Sequence, residues 1–183
     1  MSRPLSGTRI QRWRVPLGFI CGAAFIFLAK PVLWSLVAGG AVALIGLGIR
    51  AWASGHIRKN AALAVSGPYA YTRNPLYLGS FLLGIGFTIA AANIVLVAIF
   101  AALFLGVYLP VMKIEAADVH ELFGVVYEEY ARRVPLFVPR LTAWRAGEAS
   151  KFDFALYLKY REYRAALGLC AAWGLLFLKT AFF

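Results

Sequence analysis

The sequence predicts an all-α, multi-pass transmembrane helical bundle of about five spans, with a cytoplasmic amphipathic helix after the fourth. Three observations predict it. Of 183 residues, 62% are hydrophobic and 15% charged, with a mean hydropathy of +0.73, whereas a soluble domain carries roughly 25% charged residues. Apolar runs, each near the ~20 residues needed to cross a hydrocarbon core, alternate with basic punctuation. The charged residues gather between the runs, on one side of the bilayer.

The first run covers residues 15–29 and breaks at Lys30-Pro31. Upstream, Arg9, Arg12 and Arg14 resemble the n-region of a signal peptide. No A-x-A-like cleavage site follows them, and Lys30-Pro31 fits a tight turn between two spans better. The second run extends from Val32 to about Ala53. A third starts at Pro75 and a fourth ends near Met112, separated by the turn Ala91-Ala92-Asn93, and the last runs from Ala165 to the C-terminus. Neither an internal repeat nor a low-complexity linker divides the chain, so residues 1–183 read as one domain.

Orientation follows from Lys and Arg. With a cytoplasmic N-terminus, all but Lys30 and Lys179 of the 19 basic residues fall inside or at the inner membrane edge, as the positive-inside rule requires. All eight acidic residues, Glu115 to Glu162, fall on that side too. The net charge of +11 is then a basic inner face for anionic lipid headgroups, and nucleic acid is not needed as a partner. In intact cells, a cysteine placed at position 120 is expected to resist labelling from outside; external labelling there would reverse the orientation.

Cysteine and histidine carry little signal. Cys21 and Cys170 sit inside spans as small packing residues. His56 and His120 are too few and too far apart for a zinc site, so no metal is expected. Gly18 and Gly22 form a G-x-x-x-G spacing that would let the first span approach a neighbour closely.

The informative stretches lie between spans. From Asn60 to Gly79 the chain holds the turn Ser66-Gly67-Pro68 and then Asn74-Pro75, an N-cap followed by Pro at the first helical position. Arg73 stands just before that helix. It reads either as an inner-edge anchor or, with the helix N-terminus, as a carboxylate site. In the second stretch Val119, Leu122, Phe123, Val126, Tyr127 and Tyr130 recur at three- and four-residue steps, giving one apolar helical face. Asp118, Glu121 and Glu128 fall on its flanks or far side, but Glu115 projects onto the face itself. A carboxylate there either pairs with Lys113 or Arg73 or binds a ligand. The helix should end before Pro135.

Together these stretches resemble the isoprenylcysteine carboxyl methyltransferase and phospholipid methyltransferase family of integral membrane enzymes. Its pattern is G-x-Y, R-H-P-x-Y-x-G, E-E-x-x-L, F-G-x-x-Y-x-x-Y and V-P. Here it is met by Gly67-Pro68-Tyr69, by Arg73-Asn74-Pro75-Leu76-Tyr77-Leu78-Gly79, and by Glu115, Phe123-Gly124, Tyr127, Tyr130 and Val134-Pro135. Several spaced motifs are more specific than any one. The likeness implies S-adenosyl-L-methionine as cofactor and methyl transfer to a lipophilic acceptor at the cytoplasmic face. It carries cofactor binding to Leu63, Ala64, Tyr69, Asn74, Pro75, Leu76, Tyr77 and Glu115, and makes Arg73 the candidate catalytic residue. Three positions depart from the pattern: Asn74 replaces the histidine, Ala116 the second glutamate, and Val111 the Arg that meets substrate in the prenylcysteine enzymes. The cofactor half is mostly kept and the acceptor half is not.

Before the last span, Phe152, Phe154, Tyr157, Tyr160 and Tyr163 interleave with Lys151, Lys159, Arg161 and Arg164. They read as an interfacial anchor or as the lining of a lateral entrance for a lipid. Other classes fit less well. A small transporter should carry an ionisable residue midway along a span, and Arg50 lies near an end. A nicotinamide-dependent membrane reductase shares related architecture, and a non-catalytic scaffold leaves the two matched loops unexplained.

Overall fold

The computed structural model describes residues 9–58, 61–145 and 150–182, with the side chains of residues 9–15 and 19 left out. The side chains of Arg9, Arg12 and Arg14, and all of Asn60, therefore lie outside the described residues. The elements are α1 (Arg9–Leu28), α2 (Leu33–Ser54), a 3-10 turn (Gly67–Ala70), α3 (Pro75–Ala91), α4 (Ile94–Leu103), a π-helical turn (Phe104–Tyr108), α5 (Leu109–Phe123), α6 (Val125–Arg133), α7 (Phe154–Lys159) and α8 (Tyr163–Phe182). Among the described residues extended pairing is limited to an isolated bridge between Arg58 and Ala62. The architecture is the predicted helical bundle.

Among the described residues three continuous helices are long and apolar enough to cross a membrane, Leu33–Ser54, Ile94–Phe123 and Tyr163–Phe182, with Pro16–Leu28 and Pro75–Ala91 as shorter apolar helices. Leu33, Trp34, Val37, Leu44 and Ile45 on α2, and Ile94 and Leu105 on the fourth helix, are exposed, as lipid-facing side chains must be. The chain is an integral membrane protein.

At one end of the bundle the turns close as the sequence predicts. Ala92 adopts φ 47°, and Asn93 caps α4 by accepting from the Val95 N–H while its amide donates to Leu28 O at 2.7 Å. Lys179 Nζ donates to Ile26 O and Phe27 O in the last turn of α1, a favourable place for a cation. Lys30, whose N–H bonds Ala91 O, belongs to the same end.

Close helix approach occurs between α2 and α3, not along α1. A Cβ at Gly39 would stand 2.3 Å from Gly86 O, one at Gly46 2.6 Å from Gly79 O, and one at Gly86 2.7 Å from the Ala43 Cβ. Ser35 adds a bond across the helices to Ala90 O. At Gly18 and Gly22 a Cβ would meet nothing within 4 Å. The small-residue seam therefore lies elsewhere than the G-x-x-x-G spacing suggests, because spacing does not say which face meets a partner. Gly86→Val is expected to cost about 1–3 kcal/mol through overpacking, and Gly18→Val nearly nothing; thermal unfolding of both variants in detergent checks this.

The fourth helix runs on past the expected end of its span near Met112, unbroken to Phe123, since residues 111–123 contain neither Gly nor Pro to end it. At 1.5 Å per residue its 30 residues measure roughly 45 Å against a core of about 30 Å. Its last turns, with Glu115 and Asp118, thus project beyond the hydrocarbon. Pro110 has no N–H for the carbonyl of Gly106, and the turn before it widens to i→i+5, Leu109 N–H bonding Phe104 O. Gly124, at φ 54°, then breaks the single predicted helix into α5 and α6. The redirection leaves Leu122 and Val126 exposed, while Tyr127, Tyr130 and Val134 form a buried cluster with Leu63, Val65, Ala116, Val119 and Phe123 around it.

Candidate active site

The turn before α3 is built by pairing with the chain after α6. Arg73 N–H bonds Pro135 O, Arg140 N–H bonds Tyr71 O and Trp144 N–H bonds Ala70 O. Thr72 Oγ1 donates to Phe137 O at 2.9 Å, and Tyr130 Oη to Tyr69 O at 2.7 Å. Asn74 occupies the N-cap position, but its side chain caps nothing; its amide donates to Leu136 O at 3.0 Å. The expected capping role is thus replaced by a tether, and the first turn of α3 receives no side-chain cap.

This pairing folds the two informative stretches around one cavity of about 570 Å³, within the range of ligand sites. The nine residues to which the resemblance assigns a role all line it: Leu63, Ala64, Tyr69, Arg73, Asn74, Pro75, Leu76, Tyr77 and Glu115. Tyr77 Oη donates to Glu115 Oε1 at 2.9 Å, joining the start of α3 to α5. Arg73 Nη1 donates to Tyr127 Oη at 2.8 Å, and the guanidinium carbon stands 5.6 Å from the centroid of that ring.

Three buried polar atoms have no hydrogen-bond partner among the described residues: Tyr69 Oη, Arg73 Nε and Asp118 Oδ1. All three residues line this cavity. A buried donor or acceptor left unmade costs about 1–3 kcal/mol, so each of the three is short of a partner that the described residues do not supply. Burial raises the Tyr69 hydroxyl, Tyr160 and Glu162 raise it further, and Arg50 opposes them. Burial also raises Tyr130. Both phenols therefore remain protonated donors at neutral pH.

Sequence reasoning missed other lining residues. Arg50, expected to be a span-end residue, grips Glu162 with Nη2 at 2.8 and 2.9 Å and Nε at 3.1 Å, and also donates to Ser80 Oγ. No sequence signal pairs residues 112 positions apart. Asp118, expected on the flank or far side of its helix, lines the cavity instead. Its position three residues after Glu115 puts it on the same face, a signal masked by treating the stretch as one unbroken helix. Val111, one turn before Glu115, is fully buried and offers no acceptor contact.

A second, apolar cavity of about 1380 Å³ lies among α1, α3, the fourth helix and α8, lined by Phe25, Phe81, Phe87, Phe104 and Leu176 among others. Ser80 and Tyr108 border both cavities. The π-helical turn ends at Tyr108 and so helps shape the junction.

Comparison with known proteins now decides the family. Residues 19–125 match the phospholipid methyltransferase family. The chain belongs to that family. The cobalt-zinc-cadmium resistance protein CzcN of Cupriavidus metallidurans is 33% identical over 157 residues, covering 80% of this chain and 70% of that protein. The nickel-cobalt-cadmium resistance protein NccN of Alcaligenes xylosoxydans xylosoxydans is 30% identical over 152 residues, 78% of this chain and 70% of that one. Protein-S-isoprenylcysteine O-methyltransferase of Schizosaccharomyces pombe is 31% identical over 81 residues, 44% of this chain and 34% of its own length. No solved structure matches. The resemblance read from the motifs is thus a membrane methyltransferase relationship, and the family implies a methyl donor.

Proposed function

We propose that this phospholipid methyltransferase-family chain transfers the methyl group of S-adenosylmethionine to a lipophilic acceptor at the cytoplasmic membrane face. The observation that carries the reading is the meeting, around one cavity, of the nine residues to which the resemblance assigns a role; two of them, Tyr69 and Arg73, and the further lining residue Asp118 each hold an unsatisfied buried polar atom. That cavity shares Ser80 and Tyr108 with an apolar one.

The residues suit such a cofactor. Glu115, oriented by Tyr77, can accept from hydroxyl or amine donors, and the Tyr77 and Tyr108 rings, 6.1 Å apart, offer π faces to a cation. S-adenosylmethionine, when bound, supplies an electrophilic methyl group on a sulfonium centre. The chain has to bind, orient and exclude water. The uncapped start of α3 provides N–H groups for an anion, and Arg73, in the cavity lining, keeps a buried Nε without a partner among the described residues. An acceptor tail fits the apolar cavity, with its reactive head at the Ser80–Tyr108 junction. Burying each methylene there contributes about 0.8 kcal/mol, which is the physical reason to run this reaction in a membrane.

Calorimetry in detergent, comparing S-adenosylmethionine with NADPH, separates this from the reductase reading. Incubation with methyl-labelled cofactor and a lipid extract tests the transfer. Label is expected in a lipophilic product; its absence from every lipid and small hydrophobic thiol, amine or carboxylate removes the acceptor reading.

The names of two relatives favour a second, compatible role in metal resistance. Loss of the chain from its host would then lower growth in cobalt, zinc or cadmium, and unchanged growth would set that role aside.

A further inference from the structure

We infer that Asp118 is the cation partner of the methyl donor, holding the α-ammonium of its amino-acid end. This rests on the S-adenosylmethionine reading above.

Three carboxylates line the cavity: Glu115, Asp118 and Glu162. Glu162 is held through both oxygens by Arg50, at 2.8 to 3.1 Å. Glu115 accepts from the Tyr77 hydroxyl at 2.9 Å. Asp118 alone of the three lines the cavity with a buried oxygen, Oδ1, that has no hydrogen-bond partner among the described residues. A buried carboxylate oxygen needs a donor, and a charged donor compensates it best, because a neutral hydroxyl leaves the charge unopposed.

Position along the helix says which ligand supplies that donor. Tyr108, at the border with the apolar cavity, lies ten residues before Asp118, roughly 15 Å along the axis. The lipophilic acceptor belongs at the Tyr108 end. Asp118 stands at the opposite, aqueous end, where a water-soluble ligand carries its charge. Across the cavity the first turn of α3, with Leu76 and Tyr77 in the lining, has no side-chain cap. A carboxylate oxygen without a partner among the described residues and the positive end of a helix complement an ammonium and a carboxylate on one carbon. The amino-acid end of the donor has that pattern, while its adenosine has neither charge.

The test uses the full chain in detergent and calorimetry with two ligands, S-adenosylhomocysteine and its analogue with hydrogen in place of the α-ammonium. Wild type is expected to bind S-adenosylhomocysteine about tenfold or more tighter than the deamino analogue, the value of a charge-assisted hydrogen bond. Asp118→Asn, which is nearly isosteric, is expected to lose about that factor for S-adenosylhomocysteine and, lacking the charge contact, to bind the deamino analogue within about twofold of wild type. Equal losses for both ligands, or no discrimination in wild type, overturn the assignment. Failure of wild type to bind either ligand overturns the cofactor reading itself and is distinguishable from both. Asp118→Ala in the same cycle guards against an asparagine that substitutes for the carboxylate; the same loss of discrimination is expected, and its persistence overturns the role.

Discussion

Arg73→Ala is expected to leave the protein nearly inactive in methyl transfer while cofactor affinity changes little. The guanidinium stands in the cavity with Nη1 committed to Tyr127 Oη and Nε buried without a partner. An interaction made only as charge shifts at the acceptor raises the rate without tightening ground-state binding. Removing one such donor costs about 10²–10³ in kcat, so the fall should be at least about a hundredfold. The turn itself should survive, because Arg73 is held to Pro135 through its backbone N–H, which alanine retains. Rates with methyl-labelled cofactor and a lipid acceptor, beside calorimetric affinities, check this. Parallel loss of both would make Arg73 a clamp for the cofactor carboxylate, and unchanged turnover would remove it from the site.

Glu115→Ala is expected to weaken S-adenosylmethionine binding by about 1.5 to 3 kcal/mol, the worth of a hydrogen bond to a charged group. That is roughly a 10- to 150-fold rise in Kd. Glu115 sits in the last turns of the fourth helix, and the Tyr77 hydroxyl holds it toward α3. Glu115→Gln keeps the shape and one acceptor oxygen, so it should lose less. Calorimetry on the three proteins reads the series. An alanine variant that folds and binds as wild type would make Glu115 structural.

The membrane class, the positions of the spans and nine of the residues that line the polar cavity were legible in the sequence for identifiable reasons. Hydrocarbon imposes a length and a composition on every span. The turn residues Asn74, Pro75, Ala92 and Asn93 mark helix ends by local backbone chemistry, and the helices start and stop there. Glu115 stood out because a carboxylate on an apolar helix face is costly wherever the helix goes. These are properties of a residue and its near neighbours.

What needed the tertiary structure was every question of which face meets which. Gly39, Gly46, Gly79 and Gly86 make the close approach that spacing assigned to Gly18 and Gly22, because any G-x-x-x-G offers a smooth face and only the partner decides its use. Gly124 splits a stretch that reads as one helix, leaving Val126 outside and Tyr127 inside. Asp118 lines the cavity, and Arg50 meets Glu162 across it. A helical period fixes angles within one helix, but Tyr69, Arg73 and Asp118, each with an unsatisfied polar atom, come to line one cavity only when the turn before α3 is packed against α5.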